Sequence, residues 1–205
     1  MLKLQGIAVS PGVTIGEALV LDSEGFRIPR RFVERSAVDT ELARLQHAVA
    51  ETGREIERNR DAIRAELGEQ YAAIFEAHLA MLHDSKLQEE LASAVRDRNW
   101  WPEYAVSRTL RRYAKVFQNL DNHISQRAHD IYDIEKSLLR NLLGQRRETL
   151  AAISQPVIVL AHNLTPSETA NLDRRFVQGF ATELGGPGSH TAIVAEGLEI
   201  PAVVG

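Results

Sequence analysis

The residues best suited to chemistry lie together near the end of the chain: Gly185-Gly186-Pro187-Gly188-Ser189-His190-Thr191-Ala192-Ile193-Val194-Ala195, followed by the apolar run Ile200-Pro201-Ala202-Val203-Val204-Gly205. The pattern puts one histidine where a glycine loop turns into a helix. A helix start collects unpaired N–H donors and the positive end of the helix dipole, which suits a phosphoryl group. A neutral imidazole nitrogen is a competent nucleophile near pH 7, and glycines let the backbone approach the transferred oxygens. His190 is therefore the candidate phosphoryl acceptor, with Ser189 at its side and Gly185, Gly186 and Gly188 as the phosphate loop. On spacing alone, a capping or surface histidine beside a flexible loop fits equally well.

Those residues need elements to hold them. Val157 to Ala161 reads as a buried strand, Thr165-Pro166-Ser167-Glu168 as the start of a short helix, and Phe176 to Ala181 and Ala202 to Val204 as further strands. Near the N-terminus, Leu4 to Val9 and Thr14 to Leu21 are β-branched-rich runs split by the turn Ser10-Pro11-Gly12. Two strands alone are marginal in water, so these are expected to pair with the C-terminal strands.

Between the two sets the period changes. Ser36 and Asp39 resemble a helix start, and Val38, Leu42, Leu45, Val49, Thr52, Ile56, Asn59 and Ile63 recur at spacings of three and four. Gly68 closes this long helix. A second is expected over Glu69 to His83, a third near Leu87 to Arg98, a fourth from Pro102, and another through Ile131, Ile134, Leu138 and Leu142 to a cap at Gly144. The expectation is an α/β phosphohistidine domain, residues 1–30 with 145–205, interrupted by an all-helical bundle subdomain at 31–144.

Bulk properties narrow the function. At 205 residues, with 44% hydrophobic and 25% charged content, the chain can build substantial cores. A net charge of -4 argues against generic nucleic-acid binding. With no cysteine there is neither a disulfide framework nor a thiolate metal site. Neither a signal peptide nor a membrane-spanning run is evident, so a cytoplasmic location is expected. His47, His123, His129 and His162 show no metal-ligand spacing with carboxylates and are assigned to structure or solvent. Trp100-Trp101 reads as a core anchor, and Arg27, Arg30 and Arg31 as a solvated connector.

The motif Gly185-Gly186-x-x-Ser189-His190-Thr191-Ala192-Ile193-x-Ala195 with Ile200 to Gly205 resembles the phosphohistidine signature of phosphoenolpyruvate-utilising enzymes. Three further stretches resemble the enzyme I family of the bacterial phosphotransferase system: Ser10-Pro11-Gly12, Ala73-Ile74-Phe75-Glu76-Ala77-His78, and Leu164-Thr165-Pro166-Ser167-Glu168-Thr169-Ala170. The resemblance implies that His190 is phosphorylated on Nε2 by phosphoenolpyruvate and passes the group to a histidine of the small carrier HPr. It implies that Thr169 lies beside His190, and that the helical insertion docks the carrier through Phe75, His78, Leu79, Met81 and Leu82, with Arg127 near the catalytic end. The same helix must bury one stripe in any case, so these residues also fit a plain bundle core.

The family's phosphoenolpyruvate- and Mg²⁺-binding barrel, also its dimerisation part, has no counterpart in these residues. The expectation is an N-terminal piece that is monomeric, binds no metal itself, and takes phosphate from phospho-HPr but not from phosphoenolpyruvate alone. The sequence departs from the signature at Gly188, usually a small hydroxyl residue, at Glu196, usually Arg, and at Pro187, commonly Arg. The acidic run expected after the second helix reads His83-Asp84-Ser85-Lys86 here. A nitrogen-system paralogue with a different carrier, a dikinase- or synthase-type swivelling domain, and a non-enzymatic carrier-binding module are the alternative readings.

Overall fold

A computed structural model describes residues 3–21, 26, 28–120, 127–144 and 153–205. The chain divides into two compact units: Met1–Glu24 with Ala62–Ala72 and Glu148–Gly205, and Gly25–Asp61 with Ala73–Arg147. The first is built on a sheet and the second on helices, the α/β domain and helical subdomain that the residue patterns imply.

The sheet unit has five strands: β1 Ile7–Ser10, β2 Glu17–Leu21, β3 Val157–Ala161, β4 Val177–Thr182 and β5 Ala202–Val204. Their order is β1-β5-β4-β3-β2, with β1 antiparallel to β5 and the other pairs parallel. The two N-terminal strands pair with C-terminal ones, but on opposite edges of the sheet. Alternation sorts the faces: Val157, Val159, Val177, Phe180, Ala202 and Val204 are buried on one, whereas Val20 and Val203 are exposed on the other. Gly12 and Gly179 allow close approach, since a Cβ at either would come within 2.6 Å of Pro201 or Thr14 respectively.

The first two helices, α1 Val38–Leu67 and α2 Glu69–Leu82, are joined at Gly68, whose φ of +100° suits glycine. The end of α1 and the start of α2 group with the sheet unit, so the long helical run crosses the unit boundary. Leu45, Ala48, Thr52, Ile56, Asn59 and Ile63 are the buried stripe of α1. Ser36 lies in a 3₁₀ turn, Arg35–Ala37, and does not cap α1 as its position in the sequence suggests. α3 spans Ser85–Arg96, with Asp84 accepting from the Leu87 N–H at 2.9 Å, and α4 spans Pro102–Gln118 with Pro102 in its first turn. α5 spans Arg127–Leu142 and ends toward Gly144, whose φ is +64°.

Polar bonds fix the packing of these helices. Arg44 of α1 donates to Glu103 of α4 at 2.6 Å and to the Leu142 carbonyl of α5 at 2.9 Å. Asn141 donates to Thr52 Oγ1 at 3.0 Å, and Arg140 to Glu55 at 2.7 Å. Burial pushes the Glu135 carboxyl above its ordinary value of 4.5, against the opposing bonds from Ser107 and Arg111, each 2.8 Å.

Candidate functional site

The loop of interest follows β4. Gly185 has φ +131° and Gly188 φ +84°, conformations that side-chain-bearing residues rarely adopt. A Cβ on Gly185 would also lie 3.2 Å from Val204 Cβ, while one on Gly188 would meet nothing within 4 Å. Glycine at 188 therefore answers to backbone conformation alone. This gives a physical reason for the departure there: in this loop shape a threonine would be strained.

Ser189 then caps α7, His190–Gly197. Its hydroxyl accepts from the Ala192 N–H at 3.2 Å and its carbonyl from the Ile193 N–H at 2.9 Å. His190 is the first residue of the helix and is half-buried. The first-turn amides and the helix dipole give this position its positive potential. It follows a strand of a mostly parallel sheet, at the carboxyl-end edge where such sheets place their ligands.

Three bonds hold α7 in position. Thr191 Oγ1, buried, donates to the Leu164 carbonyl at 3.0 Å, which ties the helix start to the turn before α6, Pro166–Thr169. Ser10 Oγ donates to the Ala195 carbonyl at 3.4 Å, linking the Ser10-Pro11-Gly12 turn to the same helix. The Ser189 N–H donates to the Gly186 carbonyl at 3.0 Å and closes the loop. All of these stretches stand out in the sequence, which by itself gives Thr191 no role.

α6 is short and heavily capped. Thr165 accepts from the Glu168 N–H at 3.2 Å, and the Glu168 carboxylate accepts from the Thr165 N–H at 2.9 Å, a capping box. Thr169, fully buried, donates its hydroxyl to the Thr165 carbonyl at 2.8 Å, which leaves its oxygen lone pairs as acceptors. Beside the loop, His162 and Glu183 follow β3 and β4 and pair at 2.7 Å, both exposed. That pair joins residues twenty-one apart in sequence, and no spacing rule reveals it.

Glu196, exposed, lies six residues after His190 on α7. Six residues are about 9 Å of rise and place it on another face of the helix. At about 10 Å through water, a unit charge there would act on any dianion held at His190 by only ~0.8 kcal/mol before screening.

The residues expected to dock a carrier sort into two sets. Phe75, His78 and Leu82 are each 1% exposed and belong to the core of the helical unit, which corrects their assignment to a docking face. Leu79 and Met81, on the same helix, are half-buried. Phe75 meets the His78 ring edge-on at 6.0 Å between centroids. His78 Nε2 lies 3.5 Å from Asp130 Oδ1 and Nδ1 lies 3.8 Å from Asp133 Oδ2, all three side chains buried. Arg127, half-exposed at the start of α5, lies 3.8 Å from Asp130. Buried polar groups thus link α2 to the helix that presents Arg127.

Residues 5–127 match the family described as PEP-utilising enzyme, N-terminal, and residues 153–205 match PEP-utilising enzyme, mobile domain. The chain is 39% identical over 204 residues to a phosphoenolpyruvate-protein phosphotransferase of Priestia megaterium, covering 99% of this chain and 35% of that protein. It is 37% identical over 206 residues to one from Bacillus subtilis (strain 168), covering 100% of this chain and 36% of that protein. The chain thus spans about a third of the length of these curated relatives. A solution structure of an Enzyme I protein superposes with TM-score 0.79 at 38% identity, covering 99% of this chain and 82% of that one. The N-terminal domain of a nitrogen Enzyme 1 gives 0.71 at 26% identity, covering 98% and 83%. The first family match alone takes in more than half of the residues, and the chain belongs to the phosphoenolpyruvate-utilising enzyme family.

Proposed function

We propose that this chain is the phosphoryl-relay part of a phosphoenolpyruvate-protein phosphotransferase, in which His190 receives a phosphoryl group that originates from phosphoenolpyruvate and delivers it to a histidine of a small carrier protein of the HPr type. The observation that carries this reading is His190 at the first position of a capped helix, after a glycine loop, at the carboxyl-end edge of a mostly parallel sheet.

The imidazole Nε2 attacks phosphorus as the enol oxygen of the donor leaves. In the second transfer an imidazole nitrogen of the carrier attacks phosphorus and the bond to Nε2 breaks. Neither step needs covalent chemistry beyond the histidine, so positioning and charge stabilisation are the protein's main contributions. The glycine backbone and the amides at the start of α7 supply donors for the phosphoryl oxygens, apart from the Ala192 and Ile193 N–H groups that Ser189 already engages. Ser189 and Thr191 fix the helix that carries the ring, and Thr169 offers a buried hydroxyl oxygen from α6, which packs against α7. Mg²⁺ would serve the phosphoenolpyruvate-binding part of such a protein; among the described residues no group of three His, Asp or Glu side chains could hold a metal ion.

The carrier meets the exposed parts of the helical unit, with Arg127 and the half-buried Leu79 and Met81 as its candidate contacts. We place the system in the cytoplasm, in sugar uptake; among the described residues no helix is long and apolar enough to cross a membrane. The higher identity to the Enzyme I solution structure than to the nitrogen one, 38% against 26%, favours the sugar branch.

The test is ³²P transfer from phospho-HPr to this chain, with His190→Ala alongside. Acceptance by the parent chain and its loss in the variant are expected. Label retained by His190→Ala, or no transfer to a folded parent chain, would overturn the assignment. Faster transfer from the nitrogen-system carrier than from HPr would move the protein to that branch.

A further inference from the structure

One end of the helical unit carries aromatic rings under arginines. Phe32 is 58% exposed, and Trp100, Trp101 and Tyr104 are half-buried beside it. Trp100 meets Tyr104 edge-on at 5.0 Å. Arg30 lies over Phe32 at 5.0 Å, Arg31 over Trp101 at 5.4 Å and Arg98 over Trp100 at 5.1 Å. The scaffold is held by backbone bonds: the Val33 N–H donates to the Asn99 carbonyl at 2.7 Å and the Trp101 N–H to the Arg31 carbonyl at 3.2 Å. Arg44, which also lies over Trp101 at 5.8 Å, is different, being paired with Glu41 and Glu103.

Among the described residues Arg30, Arg31 and Arg98 enter no ion pair with a carboxylate. Stacking on a ring occupies one face of a guanidinium and leaves the N–H donors of its edge directed elsewhere. Residues 27–35 and 96–98 together hold six arginines against Glu34 and Asp97, within a chain of net charge -4. The surplus is therefore local. Rigid aromatic and arginine side chains on an ordered scaffold are also what dominates binding energy at protein interfaces.

We propose that this cluster is a docking surface for an acidic segment of a protein partner, whose carboxylates accept from the edges of Arg30, Arg31 and Arg98 while an apolar side chain covers Phe32. A nucleic-acid strand fits less well. The chain as a whole carries a net charge of -4, which disfavours a phosphate backbone everywhere outside this patch. The surface lies near the start of α1. Arg44, whose guanidinium lies over Trp101, is nine residues before Gly53, the neighbour of His83 at the end of α2, about 13 Å by helix rise. The site is therefore separate from the end of α2, and it goes beyond the phosphoryl relay.

Trp100 and Trp101 are the chain's two tryptophans, so intrinsic fluorescence reports on this surface directly. The probe is a fluorescein-labelled peptide of about ten residues, mainly Asp and Glu with a central Leu, titrated at low salt and read by anisotropy together with tryptophan emission. Saturable binding that shifts the emission and weakens between 50 and 300 mM salt is expected. Arg31→Glu with Arg98→Glu should weaken binding about 100-fold, and Phe32→Ala several-fold, with unchanged far-UV circular dichroism and unchanged ³²P acceptance at His190. Arg31→Lys with Arg98→Lys should lose about tenfold, since charge stays but the planar fork does not. Binding without a change in tryptophan emission, equal binding by the double charge-reversal variant, no binding at all, or tighter binding of an oligo-dT strand than of the peptide would each overturn the proposal.

Discussion

Replacing Phe75 by alanine separates a packing role from a docking one. Phe75 is 1% exposed, and its ring meets His78 edge-on at 6.0 Å. Phe→Ala at a fully buried site loses the transfer energy of the ring and leaves a cavity, together about 3–5 kcal/mol. The urea slope for a domain of this size is about 1–3 kcal/mol per M, so the midpoint of the helical unit should fall by at least about 1 M. Met81→Ala, at a half-buried position on the same helix, should cost about 1 kcal/mol or less. The assay is urea unfolding followed by far-UV circular dichroism, with carrier affinity measured by titration calorimetry under conditions where each variant is folded. If Phe75 is core, its variant loses stability, and the folded fraction binds the carrier within a few-fold of the parent. If Phe75→Ala kept the parent midpoint and bound the carrier tenfold more weakly, the reasoning from burial would be refuted.

Gly188→Thr restores the hydroxyl of the family signature but forces a β-branched residue to φ +84°; it should cost about 1–2 kcal/mol in thermal unfolding. Gly186→Ala, where a Cβ meets nothing within 4 Å, should be near neutral. Glu196→Arg reverses a charge about 10 Å from the phosphoryl group; screening cuts each sign to ~0.25 kcal/mol, so ³²P acceptance at 0.15 M salt should change by only about twofold. A change of tenfold or more would mean that the side chain reaches the phosphate. Glu135 has its carboxyl raised by burial above 4.5, so the folded state holds that proton more tightly than the unfolded chain. Its contribution to stability therefore falls as pH rises from about 4.5 to its folded value and is level above that. Glu135→Gln should remove this slope from unfolding midpoints measured between pH 4 and 8, and an unchanged slope would assign it to another group.

The helices were legible in the sequence because their cause is local. The spacing of Leu45, Thr52, Ile56, Asn59 and Ile63 follows from 3.6 residues per turn, and Gly68 and Pro102 act through their own backbone restrictions. The glycine loop before His190 was legible for the same reason: glycines at positive φ, a serine cap and a histidine at the first helical position are all neighbours in sequence. Motif resemblance linked His190 with Thr169, and the bond from Thr191 to the Leu164 carbonyl now shows how the two stretches are joined.

Long-range pairing was decided elsewhere. β1 and β2 are separated by six residues yet lie at opposite edges of the sheet, because each finds its partner among strands some 140 or more residues later. The apolar stripe of α2 could not say which of its residues face the core: Phe75, His78 and Leu82 are buried by neighbours that only the folded unit brings to them, while Leu79 and Met81 stay half-buried. The same holds for the His162–Glu183 pair and for the arginines over Phe32, Trp100 and Trp101. Local backbone preferences and helical period are written residue by residue, so the sequence alone determined the loop, its histidine and the helices. Burial and charge contacts depend on which distant surfaces meet, and that only the tertiary structure decided.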